Sequence, residues 1–402
     1  MKTTDKSALL DLLIDISWKK HGVAHEERYV VHGLNVYRDI FPSSPLESVK
    51  NAHTGEVVRT QVPPGALVDN YDERRVMKIP LSRISHPEGP EHLQPGRFFP
   101  QGWITGVPGV FKGNYHPFRL VDRDGTMLMV DLNHPLAGVD LNLTFEILGR
   151  SLKQAERGGS VTEWLEIATT GPGMQARYNG HPTAFFYPTA FKREDEQSDD
   201  LFYRQDRFVH HVDATAGSTL ESMYQLLVSN GQKVLDLMAG WESHIPRAFD
   251  LSEVHGIGLN PGELKANPVL TDYNIQDLNR EPYLDYPDHF FDLAVCSLSV
   301  EYLTDPLTVF KEIARVLKPG ACFAVTFSNR WFPQKNIRLW ADLHEFERLG
   351  LVLEYFMASG GFERLETKSV RGYPRPEGDR YAGQYAHADP VYMVTGRTRN
   401  RG

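Results

Sequence analysis

The sequence has few cysteines and no long hydrophobic run. Cys296 and Cys322 are the two cysteines among 402 residues. Each falls in an apolar stretch that predicts a buried strand, and neither has the spacing of a metal ligand, so both are expected to be reduced core residues. No stretch approaches the ~20 apolar residues that a membrane-spanning helix needs. The sequence therefore predicts no disulfide framework, no metal site and no membrane partner, and it fits a reducing cytoplasm.

An excess of positive charge is also absent. The formal net charge is −9, with 43 Lys and Arg against 52 Asp and Glu. Nucleic acid is therefore a poor default partner. The hydrophobic fraction of 41% and the charged fraction of 24% are those of an ordinary globular protein. A chain of this length predicts two or more domains, because single cores stop growing near ~250–300 residues.

The amino-terminal stretch 1–23 predicts an amphipathic helix over residues 5–20. Apolar residues recur in Leu-Leu-Asp-Leu-Leu-Ile-Asp-Ile (9–16), and Asp11 and Asp15 interrupt the run. We interpret this spacing as a helical period and the segment as a packing element.

Residues 232–329 alternate apolar runs with helical segments. The runs at 233–240, 254–260, 291–297 and 322–327, with a short one closed by Asp277, predict five strands. Pro261 marks the start of the helix after the second strand. Strands that alternate with helices imply a doubly wound, Rossmann-like sheet, which binds ligands at the carboxyl ends of its strands.

These runs resemble class I S-adenosyl-L-methionine (SAM) dependent methyltransferases of type 11. Val-Leu-Asp-Leu (234–237) is similar to the first strand with its acidic residue, and Phe-Phe-Asp-Leu-Ala-Val (290–295) to strand four. Glu-Ile-Ala-Arg-Val-Leu-Lys-Pro-Gly (312–320) resembles the helix and turn before strand five, and is the most specific of the three. The resemblance implies SAM as the cofactor and a methyl acceptor that is a small molecule or a protein.

The resemblance also implies a set of cofactor-binding residues. Asp236 would orient the amino-acid part of SAM, Gly240 would allow close backbone approach, and Asp277 would bind the adenine amino group. The full implied set is Asp236, Met238, Ala239, Gly240, Trp241, Leu259, Asn260, Asp277, Leu278 and Ser297. Two features depart from the family: a complete Gly-x-Gly-x-Gly loop is absent, and Gly258 occupies the place of the acid that binds the ribose, which leaves Asn260 as the nearest substitute.

Residues 202–213 are dense in Arg, His, Tyr and Asp and precede a helix predicted at 218–228. In the family, this segment covers the active site. Tyr203, Arg207 and His211 are the predicted acceptor-side and catalytic residues, with His211 the best base near neutral pH. Further candidates are His244, Glu301, Tyr302, Asn329 and Arg330. The alternative interpretation is a capping segment with surface histidines.

Residues 24–150 predict a β-rich domain, because short alternating strands such as 29–37 and 56–62 are separated by Pro and Gly. Ser-Pro-Leu-Glu-Ser-Val (44–49), Asn-Tyr-Asp-Glu (70–73) and Asn-His-Pro-Leu-Ala-Gly (133–138) make this region resemble SlyD-type FKBP domains, with an inserted flap at about 74–129. Residues 151–200 would form a connector and 201–402 the methyltransferase domain.

The FKBP-like domain is predicted to lack prolyl isomerase activity and to bind or position a partner. Val68 stands where the family has its active-site tyrosine, and the loop after Tyr37 is short. Two functions remain open from the sequence. One is a SAM-dependent methyltransferase, and the other is a folding helper with a catalytically silent Rossmann-like domain.

Overall fold

The computed structural model describes residues 8–36, 38–39, 48–87, 89, 92–152 and 161–399. The chain forms two compact units. The first comprises residues up to 21, 25–184 and 344–350, and the second comprises 22–24, 185–343 and 351–402. Parts of the predicted motif at 44–49, and Tyr37, lie outside the described residues. Among those described, no helix is long and apolar enough to cross a bilayer.

The second unit is built on seven strands. They are β9 (Lys233–Leu237), β10 (Glu253–Gly258), β11 (Asp272–Ile275), β12 (Phe291–Ser297), β13 (Leu317–Phe327), β14 (Phe362–Arg371) and β15 (Val391–Thr398). Their spatial order is β11-β10-β9-β12-β13-β15-β14. β9 to β13 pair in parallel, and β15 is antiparallel to both β13 and β14. The chain order changes direction between β9 and β12, and such a switch point opens a crevice at the carboxyl ends of the strands.

This arrangement confirms the Rossmann-like prediction for the second half of the chain. β12 has the predicted bounds, and Cys296 and Cys322 are free and buried in β12 and β13. β13 begins five residues earlier than predicted, so Lys318 and Gly320 belong to the strand rather than to a turn.

Helices flank the strands, and those that begin at residues 214, 261 and 306 have side-chain caps. In chain order they are α1 (Trp164–Thr169), α2 (Asp199–Phe202), α3 (Ala214–Gln225), α4 (Pro261–Ala266), α5 (Pro306–Val316), α6 (Arg338–Asp342) and α7 (Glu345–Ser359). α1 belongs to the first unit. Asp213 accepts from the backbone N–H of Thr215 and Ala216 at 2.9 and 3.0 Å. Such a cap satisfies donors that the first helical turn leaves open. Leu220 of α3 packs into a core with Val234, Leu293 and Ala324.

The first unit contains a sheet in the order β2-β1-β8-β3. Its strands are β1 (Ala8–Lys20), β2 (Val23–Asn35), β3 (Val57–Val62) and β8 (Leu141–Leu152). β8 is antiparallel to β1 and to β3. The β-rich prediction for this region is confirmed, while its FKBP-like identity stays a prediction.

The predicted amino-terminal helix is wrong. Leu10, Leu12, Ile14, Ile16 and Trp18 alternate along β1, and each is at most 2% exposed. The two acids face the other side of the strand, where Asp15 accepts from Arg28 at 2.7 and 2.8 Å and Asp11 from the Gly33 N–H at 2.8 Å. β1 pairs with β8 and buries one alternating apolar face. This pairing makes the segment a strand although its apolar spacing also fits a helix.

The predicted flap region carries a separate four-stranded sheet in the order β4-β7-β6-β5. The strands are β4 (Val76–Pro80), β5 (Phe98–Pro100), β6 (Pro117–Asp124) and β7 (Met127–Asp131). All three pairings are antiparallel. Ile79, Phe99, Phe118, Leu120 and Leu128 form its core, so this sheet buries an apolar face of its own.

Candidate functional site

A cavity of about 360 Å³ lies at the carboxyl ends of the five parallel strands of the second unit. Each of these strands contributes residues at or just after its carboxyl end. They are 238–242 and His244 for β9, 258–260 for β10, 276–279 for β11, 297–299 for β12 and 330–332 for β13. Residues 203–211, which we call the cover segment, supply five further wall residues. The topology therefore delivers chemically diverse side chains to one crevice.

The turn after β9 holds a backbone conformation that favours glycine. Met238 has a φ of 53°, in the left-handed region, at the place of the first glycine in the family loop. The turn also approaches β10 closely, since a Cβ on Gly258 would lie 2.3 Å from the Ala239 carbonyl oxygen. That contact explains the missing acid, because no side chain fits at position 258 beside this turn.

Asp236 lies two residues before the wall residue Met238 and does not itself line the cavity. It is 1% exposed, and in the described part of the chain neither carboxylate oxygen has a hydrogen-bond partner. Burial raises the pKa of Asp236 from 3.8 to about 7, with the nearby Ser243 hydroxyl opposing the shift. An unpaired buried carboxylate is costly unless a cation or a donor meets it.

Three contacts tie the cover segment to the turn after β9. Trp241 Nε1 donates to the Val209 carbonyl at 3.2 Å, and its ring lies 5.0 Å from that of His210. His210 Nδ1 lies 2.8 Å from the Glu242 carboxylate. Trp241 therefore anchors the cover segment over the cavity, which supports the predicted covering role of this stretch.

Asn260 follows β10, and both the oxygen and the nitrogen of its side-chain amide are hydrogen-bonded. Its oxygen accepts from the Glu263 N–H at 3.0 Å and caps α4, and its nitrogen donates to the Tyr203 carbonyl at 3.0 Å. Glu263 also lines the cavity, and its Oε1 accepts from the Arg207 N–H at 2.7 Å. Burial raises the pKa of Glu263 although the Arg207 N–H opposes it. The wall thus has a carboxylate in the first turn of α4.

The ends of β11 and β12 place Asp277, Leu278 and Ser297 in the wall as predicted. Asp277 accepts from the Asn279 N–H at 2.9 Å, and burial raises its pKa. The Ser297 hydroxyl is 2.7 Å from that of Tyr224, which also lies 2.8 Å from the Thr326 hydroxyl. Ser297 is therefore held by a buried hydroxyl chain.

Tyr203, Arg207 and His211 all line the cavity. Arg207 lies 4.4 Å from the centre of the Phe202 ring and donates through Nη2 to the Phe202 carbonyl, while its buried Nη1 has no partner among the described residues. Part of the His211 ring is exposed, and the ring packs 5.6 Å from Phe332. Burial and the Arg207 charge lower the pKa of His211, so the imidazole is neutral at pH 7.

Burial raises the pKa of the Tyr203 phenol, so it stays protonated near neutral pH. Of the three predicted acceptor-side residues, His211 is therefore the one whose protonation state suits a base. Tyr203 offers an O–H donor and an aromatic face, and Arg207 offers a charged donor.

The cavity brings together every predicted cofactor residue except Asp236. Of the further candidates, His244, Tyr302 and Arg330 line it, whereas Glu301 and Asn329 do not. The sequence analysis missed Glu263, Phe332 and Tyr381 among the wall residues. Phe332 follows β13 and could have been found from the rule that ligands bind at strand ends, but Tyr381 lies in a loop with no recognisable motif. No three His, Cys, Asp or Glu side chains in the described ranges group to hold a metal ion.

Residues 239–325 match the family model Methyltransf_11, described as a methyltransferase domain. The match includes the wall residues from Ala239 to Tyr302 but not the cover segment or the wall residues at 330–332, 380 and 381. The chain is 28% identical over 166 residues to the ubiquinone/menaquinone biosynthesis C-methyltransferase of Paraburkholderia xenovorans, which covers 38% of this chain and 65% of that relative. It is 25% identical over 200 residues to the enzyme of the same name from Laribacter hongkongensis, covering 48% and 78%.

Among solved structures, the chain is similar to a SAM-dependent methyltransferase from Mesorhizobium loti. The identity is 17%, the TM-score is 0.29, and the similarity covers 44% of this chain and 96% of that one. The family match assigns SAM as the cofactor of the second unit. The unpaired Asp236, the close turn at Gly240 and the carboxylates in the wall fit the cationic, hydroxyl-rich parts of that cofactor.

Proposed function

We propose that the second unit transfers a methyl group from SAM to an acceptor that enters the cavity beneath the cover segment. The observation that carries this proposal is the convergence of nine of the ten predicted cofactor residues on one cavity. The buried Asp236 lies two residues before Met238 of its wall. The methyltransferase-domain match over residues 239–325 supports it independently.

The cofactor half of the cavity has a distinct group for each part of SAM. Asp236 would meet the positively charged amino-acid end, because the described residues offer its buried carboxylate no partner beyond the nearby Ser243 hydroxyl. Asp277 and the backbone at Leu278 would bind the adenine. Glu263 would bind the ribose hydroxyls in place of the acid that Gly258 excludes, since the Asn260 amide is already engaged.

SAM supplies a methyl group on a positively charged sulfur, so the chain's own residues mainly position the acceptor for an in-line displacement. The unpaired Arg207 Nη1 would donate to an oxygen of the acceptor. If the acceptor atom must lose a proton, His211 would take it, because its imidazole is neutral at pH 7. Tyr203 would orient the acceptor through its ring and hydroxyl.

The acceptor that fits these walls best is a flat aromatic molecule. Tyr203, Phe332 and Tyr381 line the cavity, and the curated relatives carry the name of C-methyltransferases, which favours a carbon acceptor. A protein side chain is the second candidate, because the sequence leaves both open. Methyl-labelled SAM incubated with the chain, once with a panel of phenols and once with a cell lysate, separates the two by where the label appears.

Calorimetry with S-adenosylhomocysteine tests the cofactor site itself. We expect the unmutated chain to bind and Asp236→Asn to bind at least about tenfold more weakly, the loss typical of a charged contact. Asp292→Asn is the matched control, because Asp292 lies at the start of β12 and bonds to the Lys233 N–H and to Lys318. Absence of binding by the unmutated chain would favour the alternative function, a folding helper whose Rossmann-like unit is silent.

For the first unit we propose a binding role without prolyl isomerase activity. Val68 lines a cavity of about 700 Å³ with Asp69, Arg75, His116 and Glu166, and its lining contains no Phe, Tyr or Trp. An isomerase must desolvate a twisted imide against a barrier of ~18–20 kcal/mol, and such a polar wall is unsuited to that task. A proline-limited refolding assay with the full chain tests this. Acceleration above the uncatalysed rate would contradict it.

A further inference from the structure

The first unit has another cavity, of about 360 Å³, that the proposed function does not use. Its wall includes Lys20, Tyr71, Phe98, Arg119, Asp131 and Tyr178. Two cationic side chains, one carboxylate and three aromatic rings therefore share one partly open cavity. All six residues belong to the same compact unit.

Arg119 is the deepest charged group of this cavity. The residue is 5% exposed, and its guanidinium lies 4.2 Å from the centre of the Phe98 ring and 5.6 Å from that of Tyr178. Nη2 donates to the Ala176 carbonyl at 2.7 Å. Nη1 is buried and has no hydrogen-bond partner within the described ranges. A buried guanidinium nitrogen without an acceptor is costly, and a ligand oxygen would remove that cost.

Lys20 adds a second positive charge to the same space. Burial and, second, the charge of Arg119 lower the pKa of Lys20 to about 8, while Asp131 opposes the shift. The same positive potential contributes to the lowered pKa of His21, after burial. Two cations that repel each other in a partly enclosed site are stabilised when an anion binds between them.

Asp131 is the one carboxylate in the wall of this cavity, and it is already engaged. It accepts from the Asn133 backbone N–H at 2.8 Å and from the Asn133 side-chain amide at 2.8 Å. Lys20 and Arg119 together carry two positive charges against this one negative charge. Glu347 also acts on Arg119, but it pairs with Arg97 at 2.9 Å. The wall therefore keeps a single positive charge, which matches a monovalent anion better than a phosphate.

We propose that this cavity binds a small organic carboxylate, whose carboxylate contacts Arg119 Nη1 and Lys20 and whose apolar part packs on Phe98, Tyr71 and Tyr178. A carboxylate oxygen is the acceptor that a free guanidinium N–H prefers, and the aromatic walls suit a ring or an alkyl group. The site lies in the first unit and does not depend on the methyl-transfer proposal.

Calorimetry on the full chain tests this site with phenylacetate, its neutral counterpart phenylacetamide, and inorganic phosphate. We expect phenylacetate to bind with a dissociation constant of about 1 mM or below. Phenylacetamide should not bind, because it brings no charge to the two cations. Arg119 is too deeply buried for a clean substitution, so Lys20→Met carries the mutational test, with exposed Arg59→Met as the charge-matched control.

Lys20→Met should weaken phenylacetate binding at least about tenfold, whereas Arg59→Met should leave it unchanged. Equal weakening in both variants would reveal non-specific charge attraction and overturn the proposal. Absence of phenylacetate binding by the unmutated chain, or binding of phosphate alone, would overturn it as well. Circular dichroism of each variant checks that the fold is intact.

Discussion

The buried carboxylate of Asp236 should make the stability of the second unit depend on pH in a specific direction. Its pKa rises from 3.8 to about 7 because burial disfavours the ionised form. A raised acid pKa gives stability that is fully present below 3.8 and is lost as the pH rises through about 7. The difference corresponds to about 4 kcal/mol once the group is ionised, with full burial leaving little solvent screening. Asp236→Asn removes the charge and therefore this loss.

Urea denaturation from pH 5 to pH 9 measures the effect. Because the chain has two compact units, the relevant transition is the one whose midpoint shifts when S-adenosylhomocysteine is added. We expect the free energy of unfolding of the unmutated chain to fall from pH 5 to about pH 7 and then to level off, and to fall less in Asp236→Asn. The histidines titrate in both proteins, so the difference between the two curves isolates Asp236.

Asp292→Asn again serves as the control, and its stability curve should run parallel to that of the unmutated chain from pH 5 to pH 9. Burial disfavours the Asp292 carboxylate, but the Lys233 N–H and Lys318 outweigh burial and lower its pKa. Its stabilising contribution is therefore present above 3.8 and lost as the pH falls. Parallel stability curves for the unmutated chain and Asp236→Asn from pH 5 to about pH 7 would refute the assignment of a raised pKa to Asp236.

Three further substitutions test single features of the site. Glu263→Gln keeps the side-chain size but removes the carboxylate, so the affinity for S-adenosylhomocysteine measured by calorimetry should fall about tenfold, and an unchanged affinity would exclude Glu263 from cofactor binding. Met238→Val forces a β-branched residue to a φ of 53° and should lower the free energy of unfolding in urea by about 1–3 kcal/mol. Met238→Gly should not lower it. Equal free energies of unfolding for the two variants would argue against backbone strain. The rate of methyl transfer by the unmutated chain should be constant near pH 7 and decline only below pH 6.5, the ordinary histidine pKa, because the pKa of His211 is lowered. His211→Gln should be slow at every pH. A pH profile that this substitution leaves unchanged would contradict a base role.

The second unit could be predicted well because its signals are local. β12 is a continuous apolar run, and a strand buried on both faces leaves that pattern in the sequence. Pro261 predicted the start of α4 in the same way, through its restricted φ, whereas the Asn260 cap was not predicted. Nine of the ten predicted cofactor residues meet in one cavity because they follow strands whose order the sequence revealed.

The first unit was harder because its pairing is long-range. The run at 9–16 satisfies a helical and a strand period together, and the choice depends on β8, whose Arg150 lies opposite Leu10. Nothing near residue 10 reveals that partner. Glu263 was missed for a related reason, since its carboxylate reaches the cavity only because the Arg207 N–H and the turn after β9 converge on it.

The close approach of Ala239 to Gly258 has a consequence for how this chain can change over evolutionary time. An acid at position 258 would collide with the Ala239 carbonyl, so it can be acquired only together with a rearranged turn after β9. The two positions therefore form a pair that must be exchanged in concert, and relatives that carry the acid should also differ at 238–240. While the present turn persists, any carboxylate for the ribose has to come from elsewhere in the wall. If Glu263 binds the ribose as proposed, it can be substituted only when cofactor binding is lost.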